Sequence, residues 1–199
     1  EDGATAQELL KHADSAMYAV KRTGRMHVRR YESNHDSLTE RYQVLARELG
    51  SALARNEMYL VYQPIYRLDD LKIVKAEALL RWNHATLGSI SPAEFISVAE
   101  RIGMIKPIGY WVLLQACKMA QTCPDLIISV NVSTVQLIWG DFVSEVSAAL
   151  SQSGLPAHRL ELEVTETAEL HEDERAISNM KQLHEMGLRF SIDDFGSGY

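Results

Sequence analysis

The stretch from Leu126 to Asp193 decides the fold, because it alternates regularly between two kinds of pattern. Asn131, Glu163 and Asp193 lie near the ends of its strand-like segments, 32 and 30 residues apart, about the length of one βαβ unit. This alternation predicts a parallel sheet, in either a doubly wound fold or a (β/α) barrel. The strand-like segments are LIISVNV (126–132), LELEVT (160–165) and LRFSID (188–193), separated by helix-like segments at 141–152 and 173–186.

The chain before this stretch also contains strands and helices. Residues 58–65 and 73–82 are predicted strands, joined by a loop that contains Asp69 and Asp70. Two capping boxes, Ser37 with Glu40 and Ser91 with Glu94, have the spacing at which each side chain satisfies a free backbone N–H. They predict helix starts at these points, and a longer helix is expected at 105–121.

The composition limits the classes of function. The chain has 199 residues, 46% of them hydrophobic and 24% charged, with a net charge of -7. This charge argues against a groove-binding nucleic-acid protein, which would present a basic face. Cys117 and Cys123 form neither a disulfide framework nor a zinc pattern. No apolar run reaches the ~18 residues of a membrane span, so we expect a cytoplasmic segment without membrane contact. Whether the parent protein has a membrane anchor upstream is left open.

Polar residues recur on one face of the predicted strands, near their carboxyl ends. Glu77, Asn131, Glu163 and Asp193 share this phase, because side chains alternate along a strand, and Asp194 follows directly. Carboxylates with one neutral amide suit a hard cation such as Mg²⁺ or Mn²⁺. Asp193 with Asp194 could hold a second ion, and two such ions would support phosphodiester hydrolysis at the mouth of a barrel.

Each of these residues also has a simpler explanation. A lone Glu77 on a strand is usually exposed to solvent, Asn131 could cap a turn, and Asp193 with Asp194 fits ordinary turn chemistry. None of these explanations predicts the same phase and the same strand end four times. The pattern therefore favours a barrel with a metal site.

A series of motifs then resembles one family closely, the EAL domains that act as cyclic-di-GMP phosphodiesterases. The likeness covers residues 38–199. The motifs, in chain order, are YQPI (62–65), AEALLRW (76–82), ISPAEFI (90–96), AE (99–100), WVL (111–113), SVNVS (129–133), LEVTE (162–166) and DDFGSGY (193–199).

The resemblance implies a modified TIM (β/α)8 barrel that linearises cyclic-di-GMP to 5′-pGpG with two Mg²⁺ or Mn²⁺ ions. It also leads us to expect a homodimer formed through this domain. The metal ligands that the resemblance implies are Glu77, Asn131, Glu163, Asp193 and Asp194, and of these Glu77, Asp193 and Asp194 would be catalytic. The implied substrate contacts are Gln63, Leu79 and Arg81. Glu166 would support a loop near the site.

The first residues resemble a different family. The run ADSAMYAVKRTGR (13–25) is similar to the closing helix of a GGDEF diguanylate cyclase domain. We therefore expect residues 1–31 to be the tail of such a domain, with a helix at 6–22 and a short strand at 26–31. Residues 32–37 would be a linker, and 38–199 the EAL domain.

Both ends of the chain look like cuts in a longer protein. The family's later lysine, a further glutamate, a glutamine and the last barrel strands would lie beyond Tyr199. We expect the fragment alone to be unstable and inactive, because open strand edges would remain. For the parent protein, the alternatives to a phosphodiesterase are an inactive receptor for cyclic-di-GMP and a dimerisation scaffold.

Overall fold

The computed structural model describes residues 5–6, 9–10, 13, 34–138, 141–165 and 173–193, and for 34–39, Thr165 and Asp193 it describes only the backbone. Of the helix predicted at 6–22, residues 6, 9, 10 and 13 are described, and these four are helical. The remainder of that helix and the strand predicted at 26–31 lie outside the described residues. The chain divides into two compact units, 1–50 and 51–199, and the proposed domain boundaries at 31 and 37 stay predictions.

Helix α1 runs from Asn34 to Ala52. It begins before Ser37, so the capping box predicted at Ser37 and Glu40 does not mark its start, and residues 34–36 of the predicted linker are helical. Asn, Asp and Ser all favour the first positions of a helix. The polar run before Leu38 therefore offered several possible starts, and the spacing of one pair did not choose between them.

The described residues of the second unit form a sheet of six strands: β1 (Met58–Tyr66), β2 (Ile73–His84), β3 (Gly88–Ile90), β4 (Ile127–Val132), β5 (Leu160–Thr165) and β6 (Arg189–Asp193). The order is β1-β2-β4-β5-β6, with β3 paired to β2. Strands β1 and β3 run antiparallel to β2, whereas the pairs β2-β4, β4-β5 and β5-β6 are parallel, as the sequence predicts.

Helices connect the parallel strands and lie on one face of the sheet. The helices are α2 (Pro92–Ile102), α3 (Ile105–Gln121), α4 (Thr134–Ile138), α5 (Phe142–Ser153) and α6 (Glu174–Glu185). Helix α3 packs against β4 and α5, and the sheet face beneath the helices is apolar and buried. The buried strand residues on this face include Ala76, Ala78, Trp82, Ile128, Val130, Val132, Leu160, Leu162 and Val164. The core therefore lies on one side of the sheet, and the opposite face remains for polar residues.

Helix α2 begins where the sequence predicts, but the Ser91 half of its capping box is not formed. The Ser91 side chain makes no cap hydrogen bond, and the backbone N–H groups of Glu94 and Phe95 donate to the Ser91 carbonyl instead. Pro92 at the first position already fits the helix geometry. At the other end, Gly103 has φ 76°, a left-handed conformation that glycine adopts without steric cost.

Arg159 fixes the start of β5. It lies in a 3-10 turn, Ala157–Arg159, and its guanidinium donates to the carbonyls of Ala120, Cys123 and Leu126 at 2.6, 2.6 and 2.9 Å. Ala120 lies in the last turn of α3, where backbone oxygens lack helical partners, and Cys123 and Leu126 lie between α3 and β4. One side chain thus ties the end of α3 to the strand pair β4-β5.

Strand β3, helix α4 and the 3-10 turn are absent from the sequence prediction, because segments of three to five residues carry too little periodicity. In the described part of the chain, no helix is long and apolar enough to cross a membrane.

Candidate functional site

We call the sheet face opposite the helices the open face. The register of the sheet aligns the polar residues of this face in rows. Gln63 lies opposite Glu77, and that row continues across β4 and β5 through Ser129 and Glu161. The next row toward the carboxyl ends contains Asn131, Glu163 and Ser191, and the row after it pairs Thr165 with Asp193. Neighbouring strands are about 4.8 Å apart. The shared phase predicted from the sequence is therefore present on all four strands.

Glu77 and Asn131 are joined directly. The Asn131 Nδ2 group donates to Glu77 Oε1 at 2.7 Å. Asn131 comes from the row above Glu77, so the bond runs diagonally between the parallel strands β2 and β4. Two of the predicted metal ligands thus contact each other at the open end of the sheet.

Glu163 is buried, with 9% of its surface exposed, and it is paired with Lys75. The Lys75 Nζ group lies 2.7 Å from Glu163 Oε1 and 2.6 Å from Glu161 Oε1. Burial lowers the pKa of Lys75, but hydrogen bonds to the two carboxylates outweigh it, so its pKa lies above the ordinary value. Burial likewise raises the pKa of Glu161, and the hydrogen bond from Lys75 together with smaller electrostatic effects of neighbouring groups outweighs it, so that pKa is lowered.

The remaining predicted ligands are placed only in part. Asp193 ends β6, opposite Thr165 on β5, and only its backbone is described. Asp194 and Glu166 lie outside the described residues. Among the described side chains, no group of three or more His, Cys, Asp or Glu residues is positioned to hold a metal ion. The five-residue ligand set therefore stays a prediction. Of its members, Glu77 and Asn131 are in contact, and Glu163 lies beside Asn131 in the register.

A pocket of about 170 Å³ lies beside this site. Leu79, Arg81 and Asn131 line it, together with apolar side chains of α2 and α3 that include Ile96, Ile105, Ile108 and Val112. The Arg81 guanidinium donates to the Leu80 carbonyl at 2.9 Å. Gln63, the third predicted substrate residue, lies opposite Glu77 on β1 and does not line this pocket.

The chain segment that follows Asn131 is held by a network that the sequence reasoning missed. The Ser133 Oγ group donates to Glu100 Oε1, and it accepts from the Val135 N–H at 3.2 Å. The Ser133 N–H donates to Gln136 Oε1, also at 3.2 Å. Ser133 and Gln136 therefore form a capping box at the start of α4. The Ser-x-x-Gln spacing in the sequence was a signal that could have revealed it.

Lys75 and Glu161 were also missed as members of the site. Both lie on the polar face, one row or more below the carboxyl ends on which the sequence reasoning concentrated. Their phase was the available signal, but phase alone does not reveal that a long side chain reaches across a neighbouring strand.

Comparison with known proteins identifies the family. The EAL domain profile matches residues 46–199. The chain belongs to the EAL domain family. An uncharacterised signalling protein of Caulobacter vibrioides is 40% identical over 200 residues, which is all of this chain and 25% of that protein. The bifunctional diguanylate cyclase/cyclic di-GMP phosphodiesterase MucR of Pseudomonas aeruginosa is 37% identical over 203 residues, all of this chain and 30% of MucR.

Solved structures agree with this EAL assignment. A MucR phosphodiesterase in complex with c-di-GMP superposes with a TM-score of 0.73 at 37% identity, covering 78% of this chain and 65% of that chain. The predicted TIM-barrel-like fold is confirmed by this likeness. This EAL chain spans about a quarter to somewhat more than half of the length of the curated relatives it matches.

Proposed function

We propose that the protein containing this EAL domain hydrolyses cyclic-di-GMP to 5′-pGpG. The observation that carries the proposal is the arrangement of Glu77, Asn131 and Glu163 in adjacent rows, toward the carboxyl ends of β4 and β5 and at the end of the parallel pairing between β2 and β4. This is the edge of a barrel at which catalytic residues collect. The names of relatives support the substrate: MucR and NbdA of Pseudomonas aeruginosa are both described as cyclic di-GMP phosphodiesterases.

The donor set fits a hard divalent cation. Glu77, Asn131 and Glu163 offer only oxygen ligands, which Mg²⁺ and Mn²⁺ prefer. We propose that these three residues with Asp193 hold one ion, and that Asp193 and Asp194 hold a second. When bound, two such ions lower the pKa of water and stabilise the charge that develops on a phosphodiester.

The residues of the chain would bind and orient the substrate. We assign the Arg81 guanidinium to a substrate phosphate, because its planar head has several donors and it lines the pocket beside Asn131. The apolar side chains of α2 and α3 suit one face of a guanine ring and exclude water from it. Hydrolysis adds the oxygen of water to phosphorus and breaks one P–O3′ bond, which opens the ring to the linear dinucleotide.

Electrostatics make the local positive charge important. The chain carries a net charge of -7, so a dianionic substrate is repelled by the protein as a whole. Arg81 and the two ions would supply attraction at the site itself. Glu166 is proposed to support a loop near the site, the domain is proposed to act as a homodimer, and the protein is proposed to work in the cytoplasm.

The test uses the full-length protein. We would incubate it with cyclic-di-GMP and Mg²⁺ or Mn²⁺, with a chelator in a parallel sample, and follow 5′-pGpG by chromatography. The proposal expects product only in the samples with metal. Cyclic-di-GMP that binds but stays intact would contradict the enzyme and favour a receptor. If the nucleotide neither binds nor reacts, only a scaffold role survives.

A further inference from the structure

The open face of the sheet contains a charged group that the proposed reaction does not use. Lys75 is on β2, and its side chain is only 17% exposed. Its ammonium nitrogen lies within 2.7 Å of carboxylate oxygens of Glu161 and Glu163 on β5. An ion pair this enclosed is unlike the exposed pairs elsewhere, such as Arg67 with Asp69. It is held in one geometry by two partners.

The sheet topology explains how Lys75 reaches β5. Strand β4 lies between β2 and β5, so the two are separated by two strand spacings, about 9.6 Å. Lys and Glu side chains together span such a gap. Ser129 occupies β4 in the row of Glu77 and Glu161, and it is fully buried. Its small side chain leaves space above β4 for the lysine chain to cross.

The charges of the three groups favour this arrangement. Glu161 and Glu163 are two residues apart on one strand, so both side chains point to the same face. Two partly buried carboxylates without a cation would repel each other and lose solvation. The Lys75 ammonium reduces the charge of the group from two negative charges to one. The Lys75 ammonium therefore holds the Glu163 side chain in a fixed position before any other cation arrives.

The ammonium occupies one particular oxygen of Glu163. The hydrogen bond is to Oε1, and a carboxylate has a second oxygen with its own lone pairs. We propose that Lys75 is a positioning residue that fixes Glu163 through Oε1 and leaves Oε2 for a divalent cation, with Glu161 as the second anchor of the ammonium. This inference rests on the proposed function, because it assumes that Glu163 is a metal ligand. Hydrogen-bonded partners of ligating carboxylates typically change metal affinity by about 10–100-fold.

The test measures Mn²⁺ binding to the full-length protein by calorimetry, without substrate, so the result does not depend on turnover. Lys75→Met is expected to weaken binding by about 10-fold or more. Lys75→Arg keeps a donor for both carboxylates and is expected to retain most of the affinity. Lys72→Met is the matched control, because Lys72 lies in the preceding loop, 74% exposed and paired with Asp70, and its loss should leave binding unchanged.

Two further variants separate the possible failures. Glu161→Gln removes one anchor of the Lys75 ammonium without changing Glu163, and it is expected to weaken Mn²⁺ binding less than Lys75→Met. If Lys75→Met does not fold, Glu161→Gln takes its place. Unchanged Mn²⁺ binding in Glu161→Gln would then overturn the inference. Glu163→Gln should abolish tight binding. If Glu163→Gln has no effect, the proposed metal site fails, and this inference fails with it. If Glu163→Gln weakens binding but folded Lys75→Met binds Mn²⁺ as well as or better than the unchanged protein, only the role of Lys75 is wrong.

Discussion

The side-chain amide of Asn131 donates a hydrogen bond of 2.7 Å to Oε1 of Glu77, and this bond joins the adjacent strands β2 and β4 where their parallel pairing ends. The bond also fixes which way the amide faces, because Nδ2 must point toward the carboxylate and Oδ1 away from it. Both residues are proposed ligands of one cation. Their contact therefore makes the arrangement of the site depend on a neutral partner at position 131.

Asn131→Asp should destabilise the protein when metal is absent. The substitution places a second carboxylate where Glu77 has a donor, and like charges on neighbouring strands repel by roughly 1 kcal/mol. Unfolding in denaturant with a chelator should show this loss, and Mn²⁺ should reduce it. Asn131→Ala is the control, since it removes the donor without adding charge. Equal stability of Asn131→Asp with and without Mn²⁺ would argue against a cation at this position.

Gly109→Ala should destabilise the protein by about 1–3 kcal/mol through overpacking. A Cβ at Gly109 would lie 2.0 Å from Gln136 Nε2, and Gln136 is buried and accepts from the Ser133 N–H. The Gln136 side chain must move, which removes half of the capping box that follows Asn131. The matched control is Gly50→Ala. Gly50 is an exposed helical residue, and an added Cβ would have no other atom within 4 Å, so this substitution should stabilise the protein slightly. Equal unfolding midpoints for the two variants would contradict the prediction.

His84 should hold the turn between β2 and β3 through one ring nitrogen. Its Nδ1 accepts from the Thr86 and Leu87 N–H groups at 3.2 Å each. His84→Leu should cost about 1 kcal/mol of unfolding free energy and speed exchange of the Leu87 amide. His84→Asn retains an acceptor at a similar position and should lose less. An unchanged exchange rate in His84→Leu would show that the ring does not hold the turn.

The two cysteines should differ in reactivity. Burial raises the pKa of the Cys117 thiol to about 11, against a smaller lowering by a hydrogen bond with Ser153. At pH 8 about one Cys117 in a thousand is then thiolate, which is the reactive form. Cys123 is partly exposed. Iodoacetamide at pH 8 should modify Cys123 and leave Cys117 unmodified until denaturant is added, as read by peptide mass spectrometry. Modification of both at similar rates in the native protein would contradict the burial.

The sequence predicted the strands and long helices of the second unit well because their periods are strong. Helix α3 is predicted at 105–121 and observed at Ile105–Gln121. The glycines that end α2 and α5, Gly103 and Gly154, both adopt the left-handed conformation typical of a helix end. The shared phase of Glu77, Asn131 and Glu163 was predictable for the same reason, because alternation along a strand is fixed by backbone geometry.

Contacts between strands were harder to predict. The Lys75 pair with Glu161 and Glu163 depends on the register of three strands and on a small residue at Ser129, and no local pattern encodes that combination. Capping boxes were also hard to predict, because residue spacing does not fix where the side chains lie. Ser91 has the required spacing, but its side chain makes no cap hydrogen bond. Gln136 lies beside α3 and accepts from the Ser133 N–H, which completes the box at Ser133.

The central claim is tested most directly by the rate at which the full-length protein converts cyclic-di-GMP to 5′-pGpG when Glu77 is changed to Gln. Glu185→Gln is the matched control, because Glu185 is an exposed acid at the end of α6. We predict that Glu77→Gln lowers the rate at saturating Mn²⁺ by at least about 100-fold, as for loss of a charged group that acts at the transition state, whereas Glu185→Gln leaves it unchanged. A folded Glu77→Gln protein that turns over at the unchanged rate would contradict the account.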